Sequence, residues 1–322
     1  MKSYELVAKT IKGEKTSKTP VYGWVAGNLS REITEAFGSV SAFEDHYEFD
    51  AAHIFGGPGA FDMAEINKVV ESGEELTPDI LLDIPLRSPD NMDEYRDIVN
   101  ALKHHREERG RFCYMQTPGF FEHFNGVFGI ENHLCYLLMY TDEIKELYRR
   151  QSLWNAKFSE NVLELGIDMV HISDDWGSQR DLMFSPKLWW ELIYPNMKYV
   201  VDTVHKRGGF ASLHSDGCIL PVTDGLVDIG FDVVHPWQET AGMSYDLYLE
   251  KYQDKFAILG GLCVQSTIGF GDMDRLDKEI RRVFSLLKGK RWIFCTTHFV
   301  QNHCSIEELS YAYDLVSKLA KE

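Results

Sequence analysis

Short apolar runs alternate with stretches of helical periodicity along this chain. The runs lie near 20–25, 51–56, 80–85, 112–117, 168–174, 210–215, 232–237, 256–261 and 292–298. An apolar run of that length between helical patterns reads as a parallel strand buried on both faces. The helices between the later runs carry clear punctuation. Thr141 precedes an acidic first turn, and Gly166 stands at the end of a pattern spanning about 142–165. Ser185-Pro186 opens a segment that runs to Gly208, with a kink expected at Pro195. Arg275 to Leu287 is amphipathic and ends at Gly289, and Ser305-Ile-Glu-Glu308 is a capping box that opens the last helix.

The regular alternation predicts an α/β fold: a single (βα)8 TIM barrel over 1–322 with an N-terminal helical extension. An open doubly wound sheet would carry a Gly-rich phosphate fingerprint after its first strand, and none is present; Gly56-Gly-Pro-Gly59 reads as a tight turn at a strand end. Nine runs for eight strands leave one surplus, and 80–85 has the weakest pattern. No repeat, low-complexity tract or linker divides the chain.

Composition narrows the partners. A formal charge of −17 without a long basic run argues against nucleic acid or an anionic membrane surface. No apolar stretch approaches the roughly 18 residues of a membrane span, and the first residues lack the apolar core of a signal peptide. A cytoplasmic protein acting on a small molecule is expected. Six cysteines without CxxC spacing predict reduced thiols.

Candidate chemistry gathers where the later runs end. In a barrel, reacting groups sit at the C-terminal ends of the strands. His214-Ser-Asp216 offers an imidazole and a carboxylate two residues apart, half of a zinc site; alternatively His214 is a buried hydrogen-bonding histidine and Asp216 caps a helix from about Ile219. His298 closes the last run and converges on the same mouth in a closed barrel. Cys295 alternates to the opposite face, as a structural thiol, while Cys263 is better placed as a reserve thiolate ligand. Asp174-Asp175 are adjacent carboxylates that must be paired, solvated or used, or else cap a helix or bind Arg180. His235 is expected inside the barrel with Gln238 reaching the mouth, and His53 in the core.

With Asp174-Asp-Trp-Gly-Ser-Gln179, Ser185-Pro186, His214-Ser-Asp-Gly217, Pro236-x-Gln238, Gly260-Gly261 and His298 in view, the chain resembles the uroporphyrinogen decarboxylase superfamily. That superfamily includes cobalamin-dependent methyltransferases. The resemblance is most specific over about 168–305 and implies a (βα)8 barrel with its site at the strand C-termini. The decarboxylases carry arginines in an N-terminal segment that hold substrate carboxylates. Here Pro20-Val-Tyr-Gly-Trp-Val-Ala-Gly-Asn28 puts Trp24 and Asn28 at those positions, and Phe55-Gly-Gly57 leaves glycine where the family has an aspartate. A porphyrinogen polycarboxylate is therefore not expected as substrate, because it needs cationic partners.

The methyltransferase branch binds zinc through a His-x-Cys pair and a distant cysteine. The resemblance places His214 and Asp216 at the pair and His298 at the distant position, a harder ligand set suited to an oxygen-bearing methyl donor. It thus implies a zinc-dependent methyltransferase working with a separate corrinoid protein, since the chain has no Asp-x-His-x-x-Gly cobalamin motif of its own. Asp174 or Asp175 would supply a proton and Gln238 a hydrogen bond, with Trp24, Asn28, Gln179 and Trp237 around the substrate. A decarboxylase or lyase of a non-porphyrin substrate, and a non-catalytic binding barrel, are the alternatives.

Overall fold

The computed structural model describes residues 1–322. Seven parallel strands form one curled sheet in sequence order: β1 Ala51–Ile54, β2 Phe112–Pro118, β3 Met169–Ser173, β4 Phe210–His214, β5 Val233–His235, β6 Ala257–Leu262 and β7 Trp292–Thr296. All residues of β3, β5, β6 and β7 are buried, which is why these strands read as unbroken apolar runs. Helices cover the outside, including the long Thr141–Leu165, whose end is capped by Gly166 at φ +109° as its sequence required. No helix is long and apolar enough to cross a membrane.

The two free edges of the sheet are joined through the segment at Val21. Val21 bridges Phe294 of β7 in parallel; Phe294 N–H donates to Pro20 O and Tyr22 N–H to Phe294 O, both at 2.9 Å. On the other side Asp50, just before β1, donates its N–H to Val21 O at 2.8 Å, and its carboxylate accepts from Val21 N–H at 2.9 Å. Pro20 has no N–H, and one of the Val21 bonds goes to a side chain, so the expected strand 20–25 appears only as an isolated bridge. The helix Ser3–Ile11 precedes this segment, as expected of an N-terminal helical extension.

The surplus run proves to be helical. Residues Pro78–Asp83 form a short helix with Pro78 in its first turn. Thr77-Pro78 is a helix-opening signal, and it outweighs the apolar composition of 80–85. The proline-containing segment also differs in detail: a π-helical turn at Trp189–Ile193 comes just ahead of Pro195, and the regular helix resumes at Tyr194–Lys206. Proline cannot donate to the helical ladder, and the wider turn absorbs the missing bond.

Candidate functional site

Register brings the histidines together. Ser173, His214 and His235 are partners at one level of β3, β4 and β5, so His214 and His235 project side by side. Their Nδ1 atoms are 2.8 Å apart, and His235 Nε2 lies 3.0 Å from Thr296 O. Trp24 fills the barrel interior beneath them, with its ring 4.4 Å from that of His235 and 5.3 Å from that of His214. Its indole N–H is bonded to the Tyr114 hydroxyl at 2.6 Å. Trp24 is 4 % exposed and thus supports the site from below, rather than facing substrate as the sequence suggested.

Above this layer the strand ends converge. One nitrogen of His214, one of His298 and one carboxylate oxygen of Asp216 lie within 4.8 Å of one another. Asp175 Oδ1 is 3.7 Å from His214 Nε2 and accepts the Asp216 N–H at 2.7 Å. Glu122, whose Oε2 accepts from Ser173 Oγ at 2.8 Å, completes the rim. A cavity of about 200 Å³ opens here, lined by Asp216, Gln238, Val264, Gln265, Thr297, His298 and Gln301.

The electrostatics of the rim are one-sided. Burial, then Asp175 and Glu122, push the Asp216 carboxyl up to about 7. Burial raises Glu122 and Asp175 as well, with Asp175 next among the causes at Glu122. Burial drives His214 down to about 4 and lowers His298. No lysine or arginine lines the cavity. Three crowded carboxyl groups beside two neutral imidazoles form a donor set that fits a divalent cation, with both kinds of oxygen and nitrogen ligand that zinc accepts. For metal bonds of about 2.0–2.2 Å, the three donor atoms need only modest side-chain shifts to meet.

The remaining sequence candidates separate. Asp174 is fully buried and turns away from the cavity; its Oδ1 accepts the Glu122 N–H at 2.7 Å, at the start of the helix Phe121–Phe128, and burial raises its carboxyl to about 7. It is a helix-anchoring residue, as its capping alternative held, and the rim belongs to Asp175. Gln238 lines the cavity, but both ends of its amide are engaged: Oε1 accepts from Gly217 N–H at 2.7 Å, and Nε2 donates to Gln265 and Thr240. It braces the His214–Gly217 loop.

Trp237 is 1 % exposed, packs on Tyr248, Tyr252 and Phe256, and donates to Ser244 O, so it belongs to the core and not to a substrate wall. Asn28 is exposed and donates to Val300 O at 2.9 Å; Gln179 is exposed in the turn closed by Gly177 and Leu182. Cys295 is buried and Cys263 lines an adjoining cavity of about 320 Å³ with Tyr245 and Arg282, outside the ligand cluster. All six cysteines are free.

Glu122 was not legible as a site residue. It lies beyond the end of β2, past Pro118-Gly119, and the strand-end rule applied to that first-half strand would have pointed to it.

Two glycines fix the geometry of the ligand loop. A Cβ on Gly177 would stand 2.6 Å from Asp216 O, and one on Gly217 (φ +77°) 2.5 Å from the Gly177 carbonyl carbon. The loops after β3 and β4 thus touch backbone to backbone, and Cys218 N–H donates to Ser178 O at 2.7 Å.

Fold and site together define an α/β protein of barrel type whose polar groups converge at the C-terminal ends of its strands. The family model described as uroporphyrinogen decarboxylase (URO-D) matches residues 124–319, more than half of the chain, and the chain belongs to that family. Among solved structures it is similar to a methyltransferase from Methanosarcina mazei, with 14% identity, 99% of each chain covered and a TM-score of 0.72. A B12-independent methionine synthase from Shewanella sp. gives 11% identity over 70% of this chain and 65% of that one, at a TM-score of 0.47. No curated protein matches the chain.

Proposed function

We propose that this chain is a zinc-dependent methyltransferase that takes a methyl group from a small O-methyl donor and delivers it to a corrinoid carried by a separate protein. The observation that carries the reading is the ligand set: His214, Asp216 and His298 offer donor atoms within 4.8 Å of one another on a rim that holds two more carboxyl groups and no cationic side chain. Membership in the family supports an enzyme on this scaffold, and the whole-chain likeness to the Methanosarcina methyltransferase is in keeping with methyl transfer.

Zinc held by these three residues would supply a Lewis acid for the oxygen that bears the methyl group. The chain's own groups do the rest. Asp175, beside His214 at the rim, holds the proton that the departing oxygen needs. Gln238 keeps the ligand loop in place through Gly217. Trp24 closes the interior from below. A porphyrinogen would bring several carboxylates to an acidic rim, which disfavours it. The same reading takes the segment at Val21 as the eighth strand of a (βα)8 barrel, and the six free thiols suit the cytoplasm.

Metal analysis of the purified full-length chain tests the proposal. About one zinc per chain is expected, with loss of both metal and methyl transfer to a corrinoid acceptor in His298→Ala and a fold unchanged by circular dichroism. Wild-type protein that takes up no zinc on reconstitution would overturn it.

A further inference from the structure

The hydrogen bonds beneath the site can run in only one direction. Thr296 O is a carbonyl and can only accept, so His235 Nε2 carries a proton. His235 is fully buried, and the ionisable groups that act on it are His214, His171 and His298, none of them acidic. A second proton on its Nδ1 would create a buried cation without a counter-charge. His235 Nδ1 is therefore bare, and at 2.8 Å it accepts a hydrogen from His214 Nδ1. The hydrogen of that bond sits on His214 Nδ1, and Nε2 has no acceptor within hydrogen-bond distance to hold a second one. Its Nε2 lone pair is left facing the rim, where Asp175 Oδ1 stands 3.7 Å away.

We propose that His235 is a positioning residue which, through the Thr296 carbonyl, fixes His214 in the Nδ1–H tautomer and so commits Nε2 of His214 to a metal ion. The proposal rests on the reading of His214 as a ligand and deepens it. Backbone register enforces it, because His214 and His235 are partners on β4 and β5. Trp24, with its ring 4.4 Å from that of His235, hinders the ring from turning over. A histidine ligand whose second nitrogen is held in this way binds metal more tightly than one free to change tautomer, by roughly 10–100-fold in other sites.

The test uses the full chain labelled with 15N-histidine, stripped of metal, in long-range 1H–15N correlation spectra at neutral pH. His214→Gln and His235→Gln spectra assign the rings. His214 protonated on Nδ1 alone and His235 on Nε2 alone is the expected result; His214 protonated on Nε2, or on both nitrogens, overturns the proposal. Zinc titration adds a second readout. His235→Leu should weaken zinc binding by roughly 10–100-fold, and His235→Gln, whose amide can accept from His214 and donate to Thr296, should restore most of it. Equal affinity in His235→Leu and wild type overturns the positioning role. A wild type with the expected tautomers that binds no zinc upholds the tautomer assignment and sinks the metal reading alone, and the wild-type spectrum decides even if His235→Leu fails to fold.

Discussion

The carboxylate of Asp175 accepts the backbone N–H of Asp216 at 2.7 Å, so a residue two past the end of β3 holds a proposed ligand two past the end of β4. In the proposed reaction Asp175 has two separable duties, one through its hydrogen-bond acceptor and one through its proton. Asp175→Asn keeps an acceptor oxygen and should retain zinc, while lowering kcat/KM for methyl transfer by about 10²–10⁴-fold, the usual worth of a positioned acid. Asp175→Ala should lose metal affinity in addition. Full activity in Asp175→Asn, read in a methyl-transfer assay, would remove the proton role.

Asp174, one residue earlier, points the other way and anchors the helix Phe121–Phe128 through the Glu122 N–H. Asp174→Ala leaves that buried donor without a partner and should cost about 1–3 kcal/mol in chemical denaturation, whereas Asp174→Asn should cost less. An unchanged denaturation midpoint in Asp174→Ala would show that the bond contributes nothing.

Far from the site, the half-exposed His205 ring contacts Asp232 at 2.9 Å, and that hydrogen bond raises its pKa above the usual histidine value. A raised histidine pKa stabilises the fold below the unfolded value of about 6.5, and the gain fades as pH climbs through the folded value. His205→Gln should therefore be less stable than wild type near pH 5.5, by up to ~1 kcal/mol given solvent screening, and equal to it near pH 9. A stability difference that grows with pH would contradict the pairing.

Uroporphyrinogen should not be turned over. The cavity is lined by Asp216 and His298 with no lysine or arginine, and Trp24 and Asn28 stand where the resemblance to the decarboxylases implies arginines. Incubation with uroporphyrinogen should release no carbon dioxide above background; turnover on the order of 1 per second would refute the substrate argument.

Much of the scaffold was visible in the pattern because a strand buried on both faces must be apolar along its whole length. Met169–Ser173 and Trp292–Thr296 were found that way, and the helix ending at Gly166 by its cap. Residues 80–85 were misread because apolar composition alone does not separate a short helix from a strand, although Thr77-Pro78 carried the answer. At the site, His214, Asp216 and His298 were legible from their places at strand ends. Trp237 was not, because its orientation is decided by Tyr248, Tyr252 and Phe256, which reach it only in the folded chain. Asp174 and Asp175 could not be told apart until the helix at Phe121 showed which one it needed.

The backbone contact between Gly177 and Gly217 makes the β3 and β4 loops one rigid wall. Neither glycine can gain a side chain without forcing that wall apart. The cavity instead opens beside Val264, Gln265, Thr297 and Gln301, from the loops after β6 and β7. Substitutions at Val264, Gln265 and Gln301 can therefore reshape the cavity with that wall untouched, provided that His298, in the loop after β7, keeps its place. His214 and Asp216 stand on the fixed side of the mouth and His298 on the variable one, so His298 is the point at which a change of cavity shape reaches the proposed ligand set.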